Sequence, residues 1–155
     1  MSGKGAGVVR LPRAAAAGIR AHAAAAWPEE CCGLLSGRAG ERAAAPALEI
    51  ASAHPCRNLA ARPARAFEID PQAWLDLRTA LARQGGGAEI VGCYHSHPGG
   101  PAAPSPRDLA GAWEPDFLWL VVAVAEGRAG AIGAHLFEAE GEAARRFRAL
   151  ALEIV

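Results

Sequence analysis

The sequence predicts a mixed α/β fold of the α+β kind, in which helices flank a single mixed β-sheet. Phe117 to Ala125 is strongly apolar and β-branched in its middle, which is typical of a central strand. Arg13 to Trp27 is dense in alanine, the residue with the highest helix propensity. Helical and extended segments follow one another along the 155 residues without repeats, charge blocks or a long linker. We therefore expect one domain over residues 1–155.

The first elements of the chain are bounded by prolines. A short strand is predicted at Val8–Leu11, and the alanine-dense helix follows it. Pro12 is tolerated where this helix starts, and Pro28 ends it. The short apolar run Cys31–Leu35 indicates a buried strand. Residues 38–46 are expected to form a polar turn region.

The middle of the chain is predicted to contain two strands and a second helix. The strands are expected at Leu48–Ala53 and Ala66–Ile69. Asp70-Pro71 then supplies a helix cap and a first-turn proline. A spacing of three and four residues places an apolar set on one face of this helix: Trp74, Leu77 and Leu81. The glycines from Gly85 onward stop the helix.

The last third of the chain is predicted to be mostly extended. A strand at Glu89–His95 leads into a loop of Gly, Pro and Ala at Pro98–Pro104. A short helix then runs from Ser105 through Trp113 and precedes the central strand. Two further strands are expected, at Ala131–Ala139 and Phe147–Val155. For residues 142–150 a helix remains an alternative.

Composition excludes several classes of function. Sixteen basic and 16 acidic residues give a net charge of zero, without the excess of positive charge expected of a nucleic-acid binder. No apolar run approaches the roughly 20 residues that span a bilayer, so no membrane partner is expected. The 39 alanines, and arginine at every basic position except Lys4, are typical of a GC-rich coding sequence.

The cysteines indicate a reducing compartment. The four cysteines form no CxxC pair, which argues against a zinc ribbon or a thioredoxin-type motif. Cys31 and Cys32 fall in a run that indicates a buried strand, the usual setting of inert thiols. Residues 10–27 superficially resemble a signal peptide, but Arg20 interrupts their apolar stretch. We therefore expect a cytoplasmic protein.

His95, His97 and Asp108 form a candidate metal site. Strand alternation puts both imidazoles on one face, a few ångströms apart, which suits two ligands of one ion. Asp108 falls in the first turn of the next helix, where the helix dipole also favours a carboxylate. Two nitrogens and one oxygen leave a fourth tetrahedral position for water, as in catalytic zinc sites. Magnesium and calcium prefer all-oxygen shells, so the pattern indicates zinc.

Each of these residues also has a purely structural explanation. A His-x-His pair alone is weak evidence for a metal site. Asp108 alone is explained as a residue that stabilises a helix start, and Ser105 alone as an N-cap. The combination is stronger, because the spacing fits at four positions at once.

At these positions the sequence resembles a known enzyme family. His95-x-His97-Pro98, then Ser105 and Asp108 at the spacing found here, resemble the signature of the JAMM (MPN-plus) zinc metalloproteases. Upstream, the run from Pro28 to Gly37 resembles that family's glutamate motif, with Glu30 at the catalytic place. The resemblance runs through nearly the whole chain and is greatest to small stand-alone bacterial members. It implies a fold similar to that of cytidine deaminases.

The resemblance also implies a role for each residue. His95, His97 and Asp108 would hold one Zn²⁺ per chain, with a catalytic water as the fourth ligand. Glu30 would take a proton from that water and deliver it to the leaving amine. Ser105 would donate a hydrogen bond to the oxyanion.

The implied substrate is the C-terminal tail of a ubiquitin-like protein. The short chain leaves little room for the insertions with which eukaryotic members grip ubiquitin. Processing of a bacterial sulfur-carrier protein is therefore favoured, by trimming its tail or by releasing an attached amino acid such as cysteine. The alternative enzyme is a general isopeptidase that removes a ubiquitin-like modifier from lysine. A catalytically inactive MPN-type binding module is the alternative from another class, and a zinc deaminase is disfavoured because its Cys-x-x-Cys pair is missing. A homodimer is compatible with the sequence.

Neighbouring candidates receive structural interpretations. Glu29 is expected to face solvent beside Glu30. The histidines outside the motif have no ligand-like spacing and are expected at the surface or as satisfied core residues: His22, His54 and His135. By strand parity Cys93 shares the face of the two motif histidines, and we expect a packed core thiol there rather than a fourth ligand.

Overall fold

The computed structural model describes residues 7–42 and 45–155. In that part of the chain it contains seven strands: β1 (Val8–Leu11), β2 (Cys32–Arg42), β3 (Ala45–Cys56), β4 (Glu89–Pro98), β5 (Leu118–Ala125), β6 (Arg128–Ala139) and β7 (Arg145–Ile154). The same residues form three helices: α1 (Arg13–Ala26), α2 (Pro71–Gln84) and α3 (Pro106–Gly111). Among these helices, none is long and apolar enough to cross a membrane.

The strands form one mixed sheet that closes on itself in the order β1-β3-β2-β4-β5-β6-β7. β1 joins the two ends, because it pairs in parallel with both β3 and β7. β4 and β5 are also parallel, so the chain must cross over between them, and this crossover contains α3. The predicted fold class, a single mixed sheet with flanking helices, is confirmed.

Helix α1 packs its apolar face on one side of the sheet. Ala16, Ile19 and Ala23 are buried, and their spacing of three and four residues aligns them along one stripe. They belong to an apolar cluster with residues of the strands, including Leu35 and Leu120. The alanine-dense segment is therefore a core helix, as predicted.

β5 separates this cluster from a second one. Leu120 and Val122 face α1, whereas Trp119 faces the opposite side, where it packs with Phe117. α2 and α3 cover that second side, to which they contribute apolar residues such as Trp74. A strand buried on both faces must be apolar at nearly every position, which explains the continuous run from which β5 was predicted.

Two predictions about the elements are wrong. Residues 38–46 do not form a turn region, because β2 extends to Arg42 and β3 starts at Ala45, while residues 43–44 lie outside the described part. Ala66–Ile69 is not a strand, since only Ile69 forms a bridge, with Asn58. The strand predicted at Phe147–Val155 is confirmed as β7, which pairs with β6, so the alternative of a helix over residues 142–150 does not hold.

The backbones of β4 and β5 lie close together at Gly92, and a comparison with Gly18 tests this packing. A β-carbon at Gly92 would overlap the backbone carbonyl of Leu118 and lie 2.7 Å from its β-carbon. Gly18 in α1 has nothing within 4 Å of that position. We expect Gly92→Ala to lower the free energy of unfolding by at least about 2 kcal/mol, because backbone atoms cannot move aside. Gly18→Ala should raise it by about 0.5–1 kcal/mol.

Urea denaturation of both variants measures these changes. An unfolding midpoint for Gly92→Ala equal to that of the wild type would contradict the close approach.

Candidate metal centre

The two histidines of the motif meet at the carboxyl end of β4. Their Nε2 atoms lie 2.9 Å apart, and His95 is fully buried. Ser96, between them, points to the other side of the strand, where its hydroxyl accepts a hydrogen bond from the Cys31 amide at 2.8 Å. Strand alternation therefore brings the two imidazoles together, as predicted.

Asp108 brings a carboxylate to the same point. Its Oδ2 atom lies 3.1 Å from the Nε2 atoms of both His95 and His97. The same oxygen accepts a hydrogen bond from the backbone amide of Ser105 at 2.8 Å. Burial opposes ionisation of Asp108, but hydrogen bonds from both imidazoles outweigh it and hold the carboxyl pKa far below its usual range. The group is therefore an anion that faces two nitrogens.

Ser105 is the N-cap of α3. Its Oγ accepts a hydrogen bond from the Asp108 amide at 3.1 Å, and the two residues together form a capping box. The hydroxyl acts as an acceptor in this bond, so its own proton remains available to a further partner. The structure thus combines the predicted cap with a donor beside the metal-facing groups.

Glu30 approaches the histidine pair from the connection between α1 and β2. Its carboxylate and the two imidazoles place ligand atoms within 4.8 Å of one another. Burial raises the pKa of the Glu30 carboxyl to about 7, with the His97 charge opposing this shift and the Asp108 charge adding to it. Glu29 is exposed, as predicted. Glu30 can therefore gain or lose a proton near neutral pH.

The geometry of the three predicted ligands fits a tetrahedral metal ion. Bonds of about 2.0–2.1 Å hold the ligand atoms of such an ion roughly 3.3 Å apart, close to the 2.9–3.1 Å found here. The Nδ1 atom of His97 lies 3.0 Å from the Pro101 carbonyl oxygen, to which it donates, so the neutral form of this ring would offer the Nε2 lone pair to a metal ion. Burial lowers the pKa of His95, which favours the neutral form that binds metals.

Glu30, as well as Asp108, offers a carboxylate oxygen to the two histidines. Both carboxylates face the histidine pair, but they are held differently. Asp108 Oδ2 is at 3.1 Å from both nitrogens and is strongly ionised, which suits a ligand. Glu30 has a pKa near neutrality, which suits proton transfer. The geometry therefore favours Asp108 as the carboxylate that would hold a metal ion.

An aromatic residue missed by the sequence analysis holds His95 in place. The Phe67 ring stacks on the His95 ring with centroids 4.3 Å apart. Trp119 meets the same imidazole edge-on at 5.7 Å. These contacts fix the orientation of a ring whose Nδ1 atom has no hydrogen-bond partner among the described residues. Nothing in the sequence signals that Phe67 lies on a residue 28 positions away.

Asn58, the second missed residue, holds the surrounding loop. Its Nδ2 atom donates to the carbonyls of Glu30 at 3.0 Å and Ala66 at 2.9 Å. Its Oδ1 atom accepts from the amides of Ala60 at 3.0 Å and Glu68 at 3.1 Å. One amide thus ties the Glu30 backbone to the segment that carries the stacking ring. Asn side chains in loops often form hydrogen bonds with nearby backbone groups, and this tendency is the sequence signal that could have identified Asn58.

A cleft of about 360 Å³ opens beside Asp108. Trp119 contributes to its lining, and Trp113 stands at it with 72% of its surface exposed. We call it the aromatic cleft, after its aromatic lining residues: Phe67, Trp74, Trp113, Phe117 and Trp119. Because Asp108 is also part of the lining, a molecule in the cleft would lie next to the metal-facing groups.

Except for His135, the remaining histidines and the cysteines take the structural roles predicted for them. His135 is expected at the surface or as a satisfied core residue, but its buried Nδ1 atom has no hydrogen-bond partner among the described residues, so that prediction is wrong. His22 is hydrogen-bonded to Tyr94 at 2.7 Å, and His54 to Ser36 at 2.8 Å. His135 is half-buried and belongs to no ligand cluster of the described residues. Cys93 is a buried free thiol whose pKa burial raises well above its usual value. It packs with apolar side chains, so it remains a core thiol rather than a ligand.

A model of the family described as prokaryotic homologs of the JAB domain matches residues 12–135. The chain belongs to this family. The matched region includes Glu30, both histidines of β4 and α3, and it ends before β7. The predicted resemblance to small prokaryotic JAMM proteins is thereby confirmed.

Two curated relatives of this JAB-domain chain are cleaving enzymes by name. It is 35% identical over 94 residues to a desampylase of Haloferax volcanii, covering 61% of this chain and 62% of the relative. It is 37% identical over 102 residues to a probable TtuB-protein conjugate cleaving protease of Thermus thermophilus, covering 66% and 62%. The match thus spans about 62% of the length of either relative.

A solved structure is similar over nearly the whole JAB-domain chain. The solution structure of protein DSY2949 from Desulfitobacterium hafniense superposes with a TM-score of 0.74 at 25% identity. The match covers 95% of this chain and 94% of that one.

Replacing one amide tests how Asn58 supports the site. Asn58→Asp removes the two donors of Nδ2 and turns an anionic oxygen toward the carbonyls of Glu30 and Ala66. We expect it to lower the free energy of unfolding by about 2–3 kcal/mol, because buried carbonyls lose their partners. Gln72→Glu, the same chemical change at an exposed position, loses a hydrogen bond to Asp76 at 2.8 Å that water can replace, and should alter the free energy of unfolding by no more than about 0.5 kcal/mol.

Urea denaturation of the two variants checks this expectation. Equal midpoints for Asn58→Asp and Gln72→Glu would show that the amide does not hold the loop.

Proposed function

We propose that this chain is a zinc-dependent peptidase that hydrolyses an amide bond at the C-terminal tail of a ubiquitin-like protein. The observation that carries the proposal is the meeting of His95, His97 and Asp108, with ligand atoms 2.9–3.1 Å apart, beside the Glu30 carboxylate. A zinc ion bound there would activate a water molecule and polarise the scissile carbonyl. The three side chains would hold it.

Glu30 is the proposed general base and acid. Its pKa of about 7 lets the carboxylate accept a proton from the attacking water and then release it to the leaving amine. Burial and the hydrogen bond from Asn58 to its carbonyl keep the group in position. The same side chain would therefore act first as the general base and then as the general acid.

Ser105 is the proposed donor to the reacting carbonyl oxygen. Its Oγ already accepts the Asp108 amide, which fixes the hydroxyl while leaving its proton free. A donor held before the reaction stabilises the charge that develops on the oxygen, without reorganisation during the reaction.

The substrate class is supported by the names of the relatives and by the cleft. One curated relative is named as a probable TtuB-protein conjugate cleaving protease, and the other as a desampylase. The aromatic cleft adjoins Asp108 and offers apolar surface to a side chain of the tail close to the scissile bond. We favour a bacterial sulfur-carrier protein as substrate, whose tail would be trimmed or released from an attached amino acid such as cysteine.

Removal of a ubiquitin-like modifier from lysine is the second candidate, and the relatives named for cleaving conjugates favour it. Two substrates separate the candidates: a ubiquitin-like sulfur carrier with a short C-terminal extension, and the same carrier joined to a lysine side chain. Mass spectrometry of the products identifies the bond that is cut. Cleavage of the first substrate alone supports tail processing, and cleavage of the second alone supports deconjugation. Cleavage of neither would contradict the proposed function.

Adjacent glutamates provide a matched test of the proton transfer. Glu30→Gln keeps the shape of the side chain but removes its ability to accept a proton, so we expect kcat to fall by about 10²–10⁴. Glu29→Gln makes the same change on an exposed neighbour and should leave kcat unchanged. Both variants should retain bound zinc. Wild-type turnover by Glu30→Gln would refute the role of Glu30 in proton transfer.

The metal content tests the ligand assignment without a substrate. We expect about one zinc ion per chain in the purified protein, since three side chains and a water complete a tetrahedral site. His97→Ala should lose most of this zinc. His54→Ala removes a half-buried histidine outside the site and should lose none. Elemental analysis measures both, and unchanged zinc in His97→Ala would disprove the assignment.

A further inference from the structure

Helix α3 carries Asp108 but has little stability of its own. It contains six residues, Pro106–Gly111, far fewer than an isolated helix needs in water. The capping box of Ser105 and Asp108 satisfies its first turn. The last carbonyl groups of a helix have no partner within the helix, so the position of α3 also depends on what meets its carboxyl end.

Arg145 of β7 meets that end. Its Nη2 atom donates hydrogen bonds to the carbonyl oxygens of Leu109 at 2.6 Å and Ala112 at 2.5 Å. The guanidinium lies over the Phe137 ring, 5.3 Å from its centroid. A cation at a helix carboxyl end also interacts favourably with the helix dipole. A strand more than 30 residues away in sequence thus anchors the last turn of α3.

The other arginines of β7 point elsewhere. Arg146 and Arg148 both pair with Glu138, at 3.0 and 2.9 Å. The Arg146 side chain is 73% exposed, whereas that of Arg145 is 24% exposed. The ion pair of Arg145 with Glu142, at 3.8 Å to a carboxylate 98% exposed, is weak beside its two carbonyl bonds. The contact with α3 is therefore the main interaction of the Arg145 head group.

We propose that Arg145 is a positioning residue for Asp108, and this inference rests on the proposed metal centre. The capping box fixes one end of α3 and Arg145 fixes the other, which holds Asp108 Oδ2 at 3.1 Å from both imidazoles. Metal–ligand distances tolerate errors of only about 0.2 Å. A shift of α3 would move the Asp108 carboxylate away from a metal held by the two histidines. Arg145 thereby raises metal affinity although it does not touch the ion.

Three variants isolate this effect. Arg145→Met keeps the apolar stem over Phe137 but removes the donors. Arg145→Lys keeps the charge, although an ammonium cannot reproduce the fixed geometry of the guanidinium donors. Arg146→Met removes the same charge from the adjacent position of β7 and serves as the control.

The first readout is the zinc dissociation constant, measured by competition with a chelator. We expect it to rise about tenfold in Arg145→Met, as for outer partners of metal ligands. It should rise less in Arg145→Lys and remain unchanged in Arg146→Met. In the cobalt-substituted protein, the visible absorption bands should change in Arg145→Met but not in the control, because the spectrum reports ligand geometry rather than global stability.

The second readout is amide hydrogen exchange in the metal-free protein. The Asp108 and Leu109 amides, which bond to Ser105, should exchange faster in Arg145→Met than in the wild type and in Arg146→Met. This measurement is independent of zinc and of substrate. If the wild type binds no zinc, the proposed function fails, while the exchange data still decide whether Arg145 holds α3.

Several results would overturn the inference. An unchanged zinc dissociation constant in Arg145→Met would do so, as would an equal loss of affinity in Arg146→Met. Unchanged exchange at the Asp108 amide would show that α3 does not depend on Arg145. If Arg145→Met does not fold, the same two measurements are made on Arg145→Lys. A zinc dissociation constant and amide exchange equal to those of the wild type would then refute the role of the guanidinium.

Discussion

One carboxylate oxygen, Oδ2 of Asp108, links the parts of this structure that have to meet. It faces both imidazoles of β4 at 3.1 Å and accepts the amide of Ser105 at 2.8 Å. The strand end, the loop and the helix N-terminus are thus tied to a single atom. Its negative charge is costly to bury without partners, and the surrounding donors offset that cost. The remainder of the site is arranged around this anion.

Two groups of residues surround the Asp108 carboxylate: those that would contact a metal ion and those that hold them in place. The β4–α3 crossover supplies the groups that would contact a metal, and these lie close together in sequence. The supports come from distant segments: Asn58 holds the Glu30 backbone, Phe67 stacks on His95, and Arg145 bonds to the end of α3. A short local motif therefore needs residues from β3 to β7 to become a defined geometry.

This division explains what the sequence could predict. The alternation of His95 and His97 is a property of any strand, and the box of Ser105 and Asp108 is a property of any helix start, so both were predictable. The role of Phe67 depends on a tertiary contact without periodic pattern. The same segment resembles a strand because it is partly apolar, whereas its Ala66 carbonyl and Glu68 amide bond to the Asn58 side chain instead of a neighbouring strand.

The helices and the central strand followed from patterns that reflect burial. α1 lies against one face of the sheet, and β5 is buried on both faces, so their composition is determined by packing. The β2–β3 hairpin was harder to predict, because its outer half carries polar residues that resemble a turn. Backbone pairing of Arg38 with Glu49 and of Gly40 with Ala47 maintains the ladder there, although the β2 residues of these pairs, Arg38 and Gly40, lack the apolar side chains from which a strand is predicted.

The loop between β4 and α3 has a further consequence, which concerns entropy. Between His97 and Asp108 the chain has prolines at four positions: Pro98, Pro101, Pro104 and Pro106. Each fixes one backbone torsion in the unfolded chain as well as in the folded one, so ordering the loop loses less conformational freedom. The Pro101 carbonyl then orients His97. The loop therefore brings the carboxylate and the histidines together at a smaller entropic cost, and little of the free energy of metal binding would have to be spent on ordering this segment.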